Sequence, residues 1–157
     1  MKLDLYQIDA FTDKMFKGNP ACVVPLERWL PDNILLNIAK KNRVAETAFF
    51  IKKDKKFSLR WFTPEIEMDL CGHATLAAAH CLKKILNYKN DKLIFKTLSG
   101  ELIITFKNDY YLMDLPSRMP ISSELPEFVS KALNTLPEEV YKSRDYLLVY
   151  DNEDIIK

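Results

Sequence analysis

The amino-acid sequence predicts an α+β protein in which an antiparallel or mixed sheet wraps around one central buried helix. Two patterns predict this architecture. Short runs with alternating apolar residues occur in pairs, and a few turn residues separate the members of each pair, which is typical of hairpins. The segment from Gly72 to Ile85 has apolar, mostly small residues at helical spacing on both of its sides. A helix of this kind is buried nearly all round, so we expect the sheet to enclose it.

Strands make up most of the predicted elements, because alternating apolar residues recur between turns rich in polar residues. In chain order we expect strands over residues 3–11, 21–24, 46–51, 57–62, 93–98, 102–106, 111–115 and 146–150. A first helix is predicted from Asp32, which would be its N-cap, to Asn42. The central helix begins near Gly72, and a short helix is expected over residues 128–133.

The texture of the sequence changes after Leu115, where Pro116, Pro120 and Pro126 interrupt a short polar stretch. Prolines at this density predict a linker. The 157 residues by themselves have the ordinary length of one domain. Their 48% hydrophobic and 29% charged residues are typical of a soluble protein with a real core.

The sequence has almost no net charge, since Lys and Arg total 23 and Asp and Glu total 22. Nucleic acids and anionic membranes are bound by concentrated basic faces, so neither is expected as a partner. We expect no signal peptide, and no apolar run approaches the ~18 residues of a membrane span. The cysteines show no CxxC spacing, so we expect free thiols at Cys22, Cys71 and Cys81. Free thiols indicate a reducing compartment, so we expect the protein to be cytoplasmic.

Glycine is scarce, with 3 residues where average usage would give about eleven. We therefore expect each glycine to stand where the backbone needs it. Gly72 opens the central helix, whose unpaired N–H groups and partial positive charge would hold a carboxylate, with His73 as an added donor. A capping histidine beside a buried thiol is the alternative.

Glu46 lies among apolar residues at the start of a predicted strand. Partial desolvation would raise its pKa toward values useful for proton transfer. The alternative is an exposed glutamate at a strand start, and the neighbouring residues alone favour that alternative.

A metal site is not expected. His73 and His80 are the only histidines, and on one helix they would lie about 10 Å apart along its axis. That is too far for a shared ion, so we expect His80 to be structural.

Five short motifs occur in a fixed order along the chain. They are DAFT at 9–12, FKGNPA at 16–21, AETAF at 45–49, RWFTP at 60–64 and DLCGHATLA at 69–77. Together they resemble the PhzF phenazine-biosynthesis family, and the resemblance covers residues 3 to about 115. It implies the diaminopimelate-epimerase-like fold, in which two similar lobes each wrap a sheet around a helix and the active site lies between them.

The resemblance implies a cofactor-independent isomerase. Glu46 would be the general acid/base that moves a proton between carbons of a small cyclic amino acid or related carboxylate. His73 would hold that substrate, with Gly72, Asn19 and Pro20 nearby. Residues 1–118 would be the N-terminal lobe, and residues 119–157 a linker with the incomplete start of the second lobe.

Two departures from the family pattern affect this interpretation. Ala45 stands where the family often has serine, and the second lobe's acidic residue and Thr-Gly-Ser loop have no counterpart. We therefore expect a truncated or half-site form, in which Glu46 faces solvent or another molecule. A homodimer or a separate second-lobe chain would complete the cleft; the alternative is a silent remnant or a self-associating interaction module.

Cys71 supports a rival chemistry. Related epimerases and racemases use one cysteine from each lobe as acid and base, and Cys71 occupies the matching position. The N-terminus of a helix would lower its thiol pKa. The match at Glu46 and His73 favours the glutamate-based isomerase.

Overall fold

A computed structural model of the chain describes residues 2–156. It contains two compact units, the first ending at Pro116 and the second starting at Ser117. The proline-rich stretch lies at this division. Whether the second unit is the start of a second lobe stays a prediction.

The first unit is built on an eight-stranded mixed sheet. Its strands are β1 (Tyr6–Ala10), β2 (Asn19–Leu26), β3 (Glu46–Lys53), β4 (Lys56–Phe62), β5 (Glu67–Met68), β6 (Lys92–Thr97), β7 (Gly100–Lys107) and β8 (Tyr110–Asp114). The order across the sheet is β1-β2-β3-β4-β6-β7-β8, and β5 pairs with β4. The pairs β2–β3 and β4–β6 are parallel, whereas the other pairs are antiparallel.

The sheet encloses helix α2 (Gly72–His80), which continues as a π-helical turn over Cys81–Ile85. Five of its nine residues are fully buried, and they are small: Ala74, Thr75, Ala77, Ala78 and Ala79. The four alanines share one core cluster with large side chains of the surrounding strands, among them Trp61 and Phe95. The prediction of an α+β unit with a buried central helix is confirmed, and small residues explain how closely the strands approach that helix.

Helix α1 (Asp32–Asn42) packs on a second, smaller cluster that includes Leu35, Ala39 and Phe49. The prediction that Asp32 caps this helix is wrong, because Pro31 holds the N-cap position and no side chain caps the helix. Asp32 instead forms an ion pair with Arg60 of the sheet, with 2.9 Å between its Oδ1 and Nη2 of the arginine.

The second unit contains a small antiparallel sheet with the order β11-β10-β9. Its elements are β9 (Ile121–Ser122), α3 (Glu127–Ser130), β10 (Glu139–Lys142), β11 (Tyr146–Val149) and a 3₁₀ turn (Glu153–Ile155). Residues 117–156 include no fully buried side chain. Within the part of the chain that the structure describes, no helix is long and apolar enough to span a membrane.

Candidate active site

The first residue of β3 and the N-terminus of α2 meet at one end of the sheet. There Oε2 of Glu46 lies 3.2 Å from Nε2 of His73, and the two side chains are 15% and 11% exposed, respectively. The interpretation of Glu46 as an exposed residue at a strand start is therefore wrong, as is the expectation that it faces solvent. Its carboxylate is covered because the histidine ring packs against it.

The 3.2 Å approach between Glu46 and His73 is not an aligned hydrogen bond. As a result, both Oε2 and Nε2 are buried without an aligned hydrogen-bond partner. Native proteins satisfy nearly all such atoms, and the exceptions call for an explanation. A bound ligand that offered a donor to Oε2 and an acceptor to Nε2 would satisfy both.

Cys71 lies beside the same ring, next to its other nitrogen. Its Sγ is 3.5 Å from Nδ1 of His73, and its backbone carbonyl accepts a 2.5 Å hydrogen bond from the buried hydroxyl of Thr75. The site is thus a compact group in which the carboxylate, the imidazole and the thiol are all neighbours. Its thiol is fixed by the first turn of α2.

The expected lowering of the Cys71 pKa is wrong. Burial raises the pKa of this thiol to about 12; the backbone N–H of Ala74 opposes the shift, and the charge of Glu46 adds to it. Removal from water and a nearby carboxylate thus outweigh the helix N-terminus. At this pKa Cys71 carries its proton near neutral pH, and its alternative role as an acid or base stays a prediction.

The Gly18-Asn19-Pro20 turn lies at the same end of the sheet. Strands β2 and β3 run parallel with Ala21 opposite Glu46, so Asn19 and Pro20 immediately precede the residue beside the carboxylate. Asn19 is exposed and Pro20 is half-buried. The structure therefore places this predicted pair at the same edge as Glu46, with no direct side-chain contact to it among the described hydrogen bonds.

Two of the glycines serve different purposes. Gly18 has a φ of +86°, and a Cβ built there would lie 2.5 Å from the carbonyl oxygen of Ala10. The turn itself therefore requires glycine. At Gly72 the nearest atom to an added Cβ is Cδ1 of Leu115, at 4.0 Å. The space beside Gly72 is open, which leaves room for a ligand at the start of α2.

His80 lies outside this cluster. Its Nδ1 is 2.9 Å from the hydroxyl of Tyr111 on β8. Burial and then the charge of Lys84 lower the pKa of His80.

Ligand atoms of Glu46, Cys71 and His73 all lie within 4.8 Å of one another, so this trio could hold a metal ion. Sequence analysis missed it, because only the spacing of the two histidines was considered. The ring directs one nitrogen toward the carboxylate and the other toward the thiol. The absence of a metal in the functional protein stays a prediction.

A mixed sheet around a buried helix defines an epimerase-like α+β fold, and in this chain a carboxylate and a histidine meet near the N-terminus of that helix. The family model described as phenazine biosynthesis-like protein matches residues 8–143. The chain therefore belongs to the PhzF-like family.

Relatives and solved structures agree with this assignment. An uncharacterized isomerase of Pseudomonas aeruginosa is 46% identical over 156 residues, which are 99% of this chain and 60% of that protein. A crystal structure of a PhzF family protein from Enterococcus faecalis is 42% identical with a TM-score of 0.87, and the match covers 99% of this chain and 60% of that one. The chain thus spans about three fifths of the length of the protein it matches in each case.

A more distant structure extends the likeness of the fold. It is that of a predicted epimerase from Pseudomonas aeruginosa, with a TM-score of 0.70 at 20% identity over 94% of this chain and 58% of that one. At this identity the likeness concerns the fold alone.

Proposed function

We propose that the chain forms the base-carrying lobe of a PhzF-like isomerase, which moves a proton on a small cyclic amino acid or related carboxylate without a cofactor. The observation that carries this proposal is the buried pair of Glu46 Oε2 and His73 Nε2, 3.2 Å apart and without aligned hydrogen-bond partners. Polar atoms left in this state at the N-terminus of a helix suit a site that a polar ligand completes.

Each residue has a role in the proposed reaction. Glu46 as carboxylate takes a proton from one carbon of the substrate, and the resulting carboxylic acid returns a proton to another carbon. His73 and the N–H groups at Gly72 hold the substrate carboxylate, because unpaired N–H groups and the helix dipole favour an anion there. Asn19 and Pro20 form the adjoining edge of the binding site.

We further propose a half-site form, in which a second lobe completes the cleft. Support comes from the chain's span of 60% of the relative's length. A second copy of this chain or a separate second-lobe chain would supply the missing wall, and a cytoplasmic location is supported by three free, buried cysteines. No nucleic acid or membrane partner is proposed.

The acid/base role is tested by incorporation of solvent deuterium into small cyclic amino acids, followed by mass spectrometry. In Glu46→Gln, we expect exchange to fall by at least about 100-fold, because the amide cannot accept the proton. Glu65→Gln is the matched control, since Glu65 is an exposed glutamate of the same unit. Exchange that survives unchanged in Glu46→Gln would eliminate the assigned role.

A self-associating module without catalytic activity is the second candidate. Its support is the number of large apolar side chains that the second unit exposes, among them Met119 at 81%, Phe128 at 76% and Ile121 at 74%. Exposed apolar surface of this kind favours association. Light scattering across a concentration series tests the candidate: a strictly monomeric chain contradicts it, and turnover by the isolated chain excludes a silent remnant.

A further inference from the structure

We propose that Cys71 is a positioning residue, whose thiol proton is donated to Nδ1 of His73 and thereby fixes the ring proton on Nε2, facing Glu46. This inference deepens the proposed function, and its catalytic consequence rests on that function. The state of the histidine ring itself does not depend on any substrate.

The first step concerns the side of the ring that faces Glu46. A neutral imidazole carries a proton on one nitrogen and a lone pair on the other. An ionised carboxylate only accepts hydrogen bonds, and Oε2 is 3.2 Å from Nε2. A lone pair on Nε2 would be repelled at this distance in a buried setting, whereas an N–H is attracted even where it is not aligned. The carboxylate therefore favours the proton on Nε2.

The second step concerns the other side of the ring. With the proton on Nε2, Nδ1 holds the lone pair and needs a donor, and the aligned neighbour at 3.5 Å is the sulfur of Cys71. The thiol retains its proton, because burial raises its pKa to about 12. The backbone N–H of Ala74 donates to the same sulfur, so Sγ accepts one hydrogen bond and has its own proton to give.

Cys71 is held in place for this task. Its carbonyl accepts a hydrogen bond from the hydroxyl of Thr75, and both residues are buried at the start of α2. One competing acceptor exists, since the carboxylate of Glu46 is also close enough to hydrogen-bond with the thiol and raise its pKa. The two destinations of the thiol proton give different states of His73, which makes them experimentally distinguishable.

In the proposed reaction, the position of the His73 ring proton affects the carboxylate of Glu46. A donor at Nε2 stabilises the ionised carboxylate, which is the form that accepts a proton from substrate. Without the thiol, Nδ1 loses its donor, so the share of rings that present an N–H to Glu46 falls. For the loss of one neutral hydrogen bond we expect kcat to fall about three- to tenfold with little change in KM.

The test uses ¹⁵N NMR of ring-labelled histidine in the 157-residue chain. The chain has 2 histidines, so the spectrum holds two rings, and His80→Gln identifies the signal of His73. In the unsubstituted chain we expect the tautomer with the proton on Nε2. Cys71→Ala should shift both ring nitrogens toward the average of the two tautomers. Cys71→Ser should restore the original pattern, because a hydroxyl also donates.

Cys22→Ala is the matched control, since Cys22 is another buried free cysteine, and it should leave the ring signals unchanged. The inference is overturned if His73 carries its proton on Nδ1, or if Cys71→Ala leaves both nitrogen shifts where they were. The second result is expected if the thiol donates to Glu46. Should Cys71→Ala fail to fold, Cys71→Val takes its place in the same comparison, because valine is close in size to cysteine and has no proton to donate.

These outcomes are separable from those of the proposed function. An inactive chain with the expected tautomer leaves this inference intact and contradicts the isomerase. If the chain is active but Cys71→Ala leaves the ring nitrogen shifts of His73 unchanged, the isomerase proposal stands and the positioning role of Cys71 is contradicted.

Discussion

Single residues already separate what the fold needs from what a ligand needs. Gly18 and Gly72 both lie at the candidate site, yet only Gly18 has a positive φ and a backbone oxygen within 2.5 Å of an added Cβ. We expect Gly18→Ala to lower the free energy of unfolding by about 1–3 kcal/mol through backbone strain. Gly72→Ala should change it by no more than about 0.5 kcal/mol. Urea denaturation monitored by tryptophan fluorescence measures both.

Gly72→Ala is also expected to affect substrate binding. A methyl group at Gly72 enters the open space at the start of α2, so it should raise the KM of the proposed reaction while the fold is unaffected. Equal losses of stability in the two variants would show that Gly72 serves the fold as well.

The sequence predicted which residues form the candidate site better than it predicted their burial and protonation. The motifs around Glu46 and His73 predicted two residues that the structure brings to 3.2 Å. They favoured an exposed carboxylate over a partly desolvated one, and they predicted a lowered pKa for the Cys71 thiol, whereas burial raises it. Burial and ionisation depend on side chains that are distant in sequence, and residue spacing carries no information about them.

Among the secondary-structure elements, the join between α2 and β8 gives a pH-dependent prediction. His80, the last residue of α2, contacts the Tyr111 hydroxyl at 2.9 Å, and its pKa is lowered from the ordinary 6.5 by burial and by Lys84. The unfolded chain therefore binds a proton at this histidine at a pH where the folded chain does not. This contribution to stability is complete above pH 6.5 and decreases as the pH falls from there through the folded-state pKa.

Urea unfolding at about pH 7.5 and about pH 5, on either side of the ordinary histidine pKa, checks this expectation. The unsubstituted chain should lose more stability on acidification than His80→Gln, because the other titrating groups are common to both. An identical loss in the two proteins would show that His80 is protonated equally in the folded and unfolded states.

The elements themselves were predicted unevenly. The strands with clear alternation were found because the repeat of two is local, and α2 was found because its small apolar residues have helical spacing. The two-residue strands β5 and β9 were missed, since they are too short to show a period. The parallel pairing of β4 with β6 was not predicted either. The alternation of apolar residues within a strand does not indicate which distant strand it pairs with.

The whole molecule combines two units of unequal cohesion. The first unit buries a helix and aromatic side chains in one large cluster. In the second, residues 117–156 include no fully buried side chain. A segment of about 40 residues with no fully buried side chain and no cysteine has little to offset the entropy of ordering its own backbone. The second unit is therefore expected to open far more often than the first.

Hydrogen exchange on the 157-residue chain measures this difference directly. Amides of β10 and β11 are hydrogen-bonded to each other, as are those of β3 and β4, so hydrogen bonding alone would protect both pairs. Because opening free energy follows burial, we expect the β10–β11 amides to exchange at least about 100-fold faster than those of β3–β4. Adding a second-lobe chain should slow exchange in β10–β11 if that chain completes the fold, as the half-site proposal requires. Protection of β10–β11 equal to that of β3–β4 in the isolated chain would mean that the second unit is stable without a partner, and would remove this support for a half-site form.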